Sequence, residues 1–346
     1  MKWRVIYFLL YHRWFLSLLI LNIFLNSIAF AGESLYYKEA TLLAGYSDVD
    51  KFITQSGCFT NSVGFEYYKK YSTQYRDYLT TDLQLRLSND TSKSSNEFCS
   101  IKLYIEIHNA WAEYKLKPKY KLKFGHFDPA FGIEPILDTH GTLLQTQAEK
   151  NIGFKKDWGI ALKVIELNYE VALSLGSGMS IRRRDGSYLL TSRIGKSKDE
   201  FQYGFSILYG KVLQSEGMST IPENKLISNK TVKKRRIGLD GQYLFGPYLF
   251  KGEIAYGENN DKEVLGYWLE TDYTLPSEQR WQIQVQFQSW INDLKKNNSD
   301  DTTLILGASY KLNPKITLQA NYSHDFHLTN KDADKKILFQ LYYYSL

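Results

Sequence analysis

Along most of the chain, apolar and polar side chains alternate one by one. From Trp281 to Gln288, Trp281, Ile283, Val285 and Phe287 are apolar and every intervening residue is Gln. Successive side chains of an extended strand point to opposite faces, so this segment predicts a strand with one apolar and one wet face. The same pattern runs through 102–108, 119–124 and 316–322, and more weakly through 82–87 and 237–243. Helical spacing is almost absent. Most of these segments are about ten residues long, enough for a tilted strand to cross a bilayer. About sixteen strands are predicted, an even number as in single-chain bacterial barrels. Their centres lie near Leu42, Phe65, Leu83, Ile105, Leu122, Ala161, Ala172, Leu190, Phe205, Leu239, Ile254, Leu269, Val285, Leu306, Leu318 and Phe339.

The connections sharpen the prediction because they alternate in length. Long polar connections follow the odd strands, at 47–59, 89–100, 126–156, 176–186, 211–234, 257–262, 291–301 and 327–335. Short ones follow the even strands, at 117–118, 165–166, 245–247 and 313–314, with slightly longer ones at 72–77, 197–200 and 276–279. Outer-membrane barrels have short periplasmic turns, long external loops and both termini on the periplasmic side. A soluble β-sandwich has no reason to keep that order.

The first 31 residues read as a secretory signal peptide. Lys2, Arg4 and Arg13 precede or flank an apolar stretch from Trp14 to Phe30, and Ala29-Phe30-Ala31 has the small-x-small pattern of a cleavage site. Asn22 and Asn26 interrupt the stretch, which argues against an uncleaved anchor. Residues 32–346 then form one domain and contain no run of about 18 apolar residues. A membrane-spanning reading of them requires a closed barrel, because within lipid only helices and closed barrels satisfy every backbone N–H and C=O. The expected fold is therefore all-β, a transmembrane antiparallel β-barrel.

Composition supports this. The chain has 27 Tyr, 19 Phe and 7 Trp but only 7 Pro, and transmembrane barrels concentrate such rings in two interfacial girdles. The formal net charge is +6, half of it carried by the three basic residues of the leader, so no nucleic-acid partner is indicated. A barrel of about sixteen strands leaves an aqueous lumen, and the length leaves no room for the plug of a 22-stranded transporter.

Leu122–Pro135, LKFGHFDPAFGIEP, resembles the strand-and-loop signature of the general porin superfamily, in particular the phosphate-selective porin O and P group. Gly125-His126-Phe127, Pro129-Ala130-Phe131-Gly132 and Asp157-Trp158-Gly159 occupy the places of that group's motifs, over about forty residues from Leu122 to Leu162. The resemblance implies a sixteen-stranded pore, often a homotrimer, whose third extracellular loop folds inward as a constriction. Constriction-loop candidates are His126, Asp128, Glu134, Asp138, His140, Glu149 and Lys150, with Lys155 and Lys156 adding basic charge. The sequence departs from the group in lacking regular ladders of lumen-facing Arg and Lys, and it ends in Leu346 rather than an aromatic residue.

With apolar residues facing lipid, the alternate positions face the lumen: Asp82, Arg86, Glu106, His108, Lys121, Lys123, Arg236, Asp240, Glu270 and Asp272. There they tune ion selectivity or simply pair and solvate the wall. Arg182-Arg183-Arg184 and the run Lys230, Lys233-Lys234-Arg235-Arg236 either attract anionic solutes to the mouth or meet lipopolysaccharide phosphates. Cys58 and Cys99 fall in the first two long loops, and an exported protein with two such cysteines is expected to join them in a disulfide. His324, Asp325 and His327 sit at one strand tip and read better as solvated than as metal ligands. No nucleophile elbow is present, and neither a cofactor nor a metal is expected. The function expected is a porin passing small hydrophilic or ionic solutes, with outer-membrane lipid and lipopolysaccharide as surroundings. A structural sleeve enclosing an electron-transfer partner is the alternative, and a barrel enzyme is the weakest reading.

Overall fold

The computed structural model describes residues 33–56, 59–90, 102–179, 186–215, 226–328 and 333–346. Sixteen long strands make the wall: β1 (Ser34–Ser47), β2 (Ser62–Ser72), β3 (Asp77–Asp90), β4 (Lys102–Lys117), β5 (Tyr120–Phe127), β6 (Asp157–Val164), β7 (Tyr169–Ser174), β8 (Tyr188–Ser197), β9 (Phe201–Ser215), β10 (Leu226–Phe245), β11 (Tyr248–Asn259), β12 (Lys262–Thr274), β13 (Trp281–Ile291), β14 (Asp300–Asn313), β15 (Ile316–His327) and β16 (Lys335–Ser345). Each contains or adjoins one of the predicted centres. Every strand pairs antiparallel with its sequence neighbour, and β1 closes on β16 from Lys38 opposite Ser345 to Ser47 opposite Lys336. Closure leaves no edge with unpaired backbone groups, the condition for crossing lipid as a sheet.

Alternation sorts the wall into two faces. On β9, Tyr203, Phe205, Ile207 and Tyr209 are exposed while Gly204, Ser206, Leu208 and Gly210 are buried. Leu42, Ile105, Leu269 and Phe339 lie on the same outer belt and are 59–66% exposed, as lipid-facing side chains are in a lone chain. At the short-turn end this belt is edged by ring contacts: Tyr243 with Phe245, Tyr248 with Phe250 and Tyr273, and Trp281 with Tyr310. Amphipathic rings at the rim of an apolar band form an interfacial girdle.

Three sequence expectations change, the first being that the connection expected at 211–234 is much shorter, because β9 runs to Ser215 and β10 begins at Leu226. The connection at 257–262 is a two-residue turn, because β11 and β12 stay paired out to Asn259 opposite Lys262 and Asn260 takes a left-handed φ of 54°. His126 belongs to β5 and not to the loop after it. Its ring is buried and lies 5.2 Å from that of Trp158. The leader, Cys58, Cys99 and Arg182–Arg184 lie outside the described residues.

The long connection between β5 and β6, residues 128–156 (L3), holds a 3₁₀ turn at Glu134–Ile136 and one helical turn at Ala148–Ile152. Its side chains supply much of the buried apolar surface. Phe131, Ile152 and Phe154 pack against Leu189, Leu208, Val212 and Ala255 of β8, β9 and β11, residues of the inner face.

Candidate pore constriction

L3 meets the inner wall in three sectors. In the first, the Gly132 N–H donates to Ser206 Oγ on β9 at 3.0 Å. Glu253 on β11 accepts from the Ile133 N–H at 3.0 Å and from Asn151 Nδ2 at 2.8 Å, tying the two ends of the loop to one carboxylate. Gly132 has φ +67°, and a Cβ there would lie 2.2 Å from Glu253 Oε2, so only glycine lets the carboxylate this close. This accounts for the glycine of the Pro-x-Phe-Gly motif.

In the second sector Gln147 Nε2 donates to the Ser289 and Tyr267 carbonyls on β13 and β12, at 2.8 and 3.2 Å. Lys150 Nζ lies 2.9 Å from Asp301 Oδ2 on β14. In the third, the Leu143 N–H donates to Gln319 Oε1 on β15 at 3.1 Å and Gln340 Nε2 on β16 donates to the Gly141 carbonyl at 2.9 Å. The Leu143 side chain packs with Leu43 and Leu338 of β1 and β16. His140 Nε2 reaches Glu66 of β2 at 3.4 Å, and its ring lies 5.0 Å from that of Tyr344.

The loop thus bridges the lumen from the β8–β11 side to the β15–β2 side. Between it and β1, β3, β4 and β16 remains a polar cavity of about 60 Å³, room for a few water molecules. Glu39, Arg86, Glu106, His108 and Tyr342 line its wall side, and Thr139, Thr142, Gln145 and Lys155 its loop side. Arg86 grips Glu39 with two nitrogens, at 2.6 and 3.0 Å, and its other terminal nitrogen is 3.3 Å from His108 Nδ1. Gln84 and the Tyr342 hydroxyl add donors to Glu39, and Ser88 donates to Glu106. Opposite, Lys155 pairs with Glu134 at 2.6 Å, and Thr146 also donates to Glu134. Cations and carboxylates are therefore paired on both sides of the gap.

Of the sequence-predicted loop residues, Glu134 is buried against Lys155, Asp128 pairs with Lys156 at 2.5 Å, and Asp138 bonds His140. Glu149 lies on the helical turn, where lost hydration raises its carboxyl to about 7 against the pull of Lys150 and Lys155. The wall residues are spread further. Asp82, Arg86, Glu106 and His108 lie near the gap. Lys121 and Lys123 both face Glu113, at 2.6 and 4.0 Å. Asp240 binds Arg193, while Glu270 and Asp272 share Lys251 on β11. Arg236 stacks 5.6 Å over the Trp290 ring. Sequence reasoning missed Glu39, Glu66, Arg193, Glu253, Gln319, Gln340 and Tyr342. Their signal was inward parity on their strands, clear for Gln319 in 316–322 and diluted elsewhere by Tyr and Gly.

Asp157-Trp158-Gly159 secures the exit of L3. Asp157 accepts from the backbone N–H groups of Gly176, Ser177 and Gly178, at 2.6, 3.3 and 3.0 Å, and Trp158 Nε1 donates to the Met179 carbonyl at 2.6 Å. These bonds tie the start of the next loop to the exit of L3.

His140 gives the loop tip a pH dependence. Burial alone would depress its imidazole, but the hydrogen bonds it donates to the Asp138 and Glu66 carboxylates, with their charges, outweigh that and raise it to about 9. Asp138 in turn is held below the usual carboxylate range, chiefly by the His140 hydrogen bond. A group raised on docking contributes fully below its undocked value near 6.5 and loses that contribution as pH rises through about 9. Open-channel current noise is therefore expected to increase between pH 7 and pH 10. In His140→Gln it should be high at both values, and identical noise profiles for the two proteins would refute a role for His140 in holding the loop tip.

No protein-family model matches the sequence, and no curated protein matches it. Solved structures share the fold. OmpT, an outer membrane protein of Vibrio cholerae solved in a trimer form, superposes with a TM-score of 0.63 at 13% identity over 91% of this chain and 100% of its own. An anion-selective porin from Comamonas acidovorans gives 0.62 at 9% identity over 91% and 100%. Salmonella typhi OmpF, in complex with daunomycin, gives 0.59 at 11% identity over 90% and 97%. At such identities the likeness is one of fold. Together with the closed sheet and its apolar belt it gives this chain the fold of a transmembrane β-barrel with the porin architecture.

Proposed function

We propose that this outer-membrane barrel works as a porin, a water-filled channel through which small hydrophilic or ionic solutes diffuse past a constriction made by L3 and the β1–β3–β4–β16 wall. The observation that carries the reading is the polar gap beside a loop held against the wall in three sectors. A loop fixed this firmly sets an aperture rather than a flapping lid. Selectivity is weak, because Arg86, Lys155 and Lys156 each have a carboxylate partner and little unbalanced charge faces a passing ion. This argues against strong phosphate selectivity, despite the resemblance over 122–162.

The channel acts without catalysis, cofactor or metal, and nucleic acid is not a partner. Its surroundings are outer-membrane lipid and lipopolysaccharide, and it assembles as a homotrimer. Residues 1–31 are removed on export as a signal peptide. A sleeve around a partner protein would need a clear lumen, which the L3 contacts on facing walls oppose. The test is single-channel conductance of the purified mature chain in a planar bilayer under a salt gradient. Steady openings with a small reversal potential are expected, and a folded but silent barrel would sink the reading.

A further inference from the structure

The basic run near the start of β10 is divided by the strand period. Lys234 and Arg236 are buried on the inner face, whereas Lys233 and Arg235 lie on the outer face with Ile237 and Leu239. On the neighbouring strand Lys211 continues the outward row of Phe205, Ile207 and Tyr209, and it sits directly opposite Lys233. Tyr209 is opposite Arg235, whose guanidinium lies 5.7 Å from the Tyr209 ring centroid. Tyr188 of β8 is opposite Lys211, with its ring 6.2 Å from that of Tyr209. These positions belong to the long-loop end of the wall, where the apolar belt meets the outer surface.

Like charges directly opposed across strands destabilise a sheet. Glu258, the one carboxylate at hand among the described residues, stands 3.9 Å from Arg235, and no ion pair among them joins either lysine to a carboxylate. By contrast, Lys295 beyond β13 bonds Glu263 at 3.0 Å. Three outward cations on two adjacent strands, flanked by two Tyr rings, thus share a single carboxylate, Glu258 opposite Arg235, which leaves an excess of positive charge among the described residues of this patch.

We propose that Lys211, Lys233 and Arg235 form an outward-facing site for the phosphate groups of lipopolysaccharide in the outer leaflet. The Arg fork offers a paired donor to phosphate oxygens, and the two ammonium groups neutralise the remaining charge. Tyr188 and Tyr209 pack their rings against the sugar and upper acyl region while their hydroxyls stay wet. The proposal rests on the outer-membrane placement of the barrel and is independent of whether the lumen conducts.

The test measures binding of lipid A to the refolded, detergent-solubilised chain by native mass spectrometry, with bisphosphorylated and dephosphorylated lipid A compared. With each cation near a phosphate surface contributing roughly a factor of five, the phosphorylated form is expected to bind roughly 100-fold more tightly. The triple variant Lys211→Gln/Lys233→Gln/Arg235→Gln should lose that preference and keep wild-type conductance. Lys119→Gln, at the opposite rim, should keep both. Equal affinity for the two lipids, or an unchanged preference in the triple variant, overturns the proposal. Full displacement of lipid A by millimolar inorganic phosphate overturns it in favour of a free-anion site. Should the barrel prove electrically silent while the lipid preference persists, the channel reading fails and this one stands.

Discussion

Replacing Asp240 by alanine is expected to destabilise the folded barrel by about 3 kcal/mol, measured by urea-dependent folding into lipid vesicles. Asp240 on β10 takes two bonds from Arg193 on β8, at 2.6 and 3.0 Å, and both residues are less than a tenth exposed. The guanidinium crosses the intervening strand at Gly204, where a Cβ would fall 2.4 Å from Arg193 Nη2. A cation left there without its partner is poorly hydrated, which is why breaking one side of such a pair destabilises far more than an exposed ion pair would. The double variant Arg193→Met/Asp240→Leu, which removes both charges, should recover to within about 1 kcal/mol of wild type. A single-variant loss below about 1 kcal/mol would mean that lumen water solvates Arg193 and that the pair is structurally idle.

The effect reaches the constriction. Asp240 lies opposite Glu253 in the β10–β11 register, so two inward carboxylates face one another. With Arg193 engaged on Asp240, Glu253 remains available to the Ile133 N–H and to Asn151. In Asp240→Ala, Arg193 competes for Glu253 and weakens the anchor of L3. Channel noise should therefore rise with the loss of stability, and the double variant should restore quiet openings.

The wall was legible because two solvents write it. Lipid outside and water inside impose strict alternation wherever a strand crosses the bilayer, as in Trp281–Gln288, and the sixteen strand centres follow. Beyond the bilayer both faces of a strand are wet, and the constraint lapses. Glu258, Asn259 and Lys262 therefore read as loop although they remain paired in β11 and β12. The candidate constriction was half legible. Glu134, Asp138, His140 and Lys155 stood out as a charged set in one long loop. Their counterparts Glu39, Gln340 and Tyr342 lie on the first and last strands, which meet only because the sheet closes. Closure register depends on the accumulated stagger of the whole barrel, and no local window carries it. The basic run at 233–236 shows the opposite case. It is conspicuous as a cluster, but strand period separates it into an inner and an outer pair.

Replacing residues 138–146 with a short Gly/Ser link is expected to raise single-channel conductance by at least about twofold, since the narrowest section dominates the resistance of a pore. The segment carries contacts of L3 with β15, β16, β1 and β2, through Gln319, Gln340, Leu43 and Glu66. Its removal leaves the loop base on Glu253 and the apolar cluster around Phe131 and Phe154, so the wall itself keeps its pairing. Glu66 then loses its imidazolium partner and faces the lumen beside Asp82, which should shift the reversal potential toward cation selectivity. The loop tip and the wall make separable contributions. Asp240→Ala should lower stability with little change in mean conductance, whereas the tip replacement should change conductance with little change in stability. An unchanged conductance after tip replacement would place the limiting section elsewhere, and the pore described by Glu39, Arg86, His108 and Lys155 would then be a side chamber rather than the path.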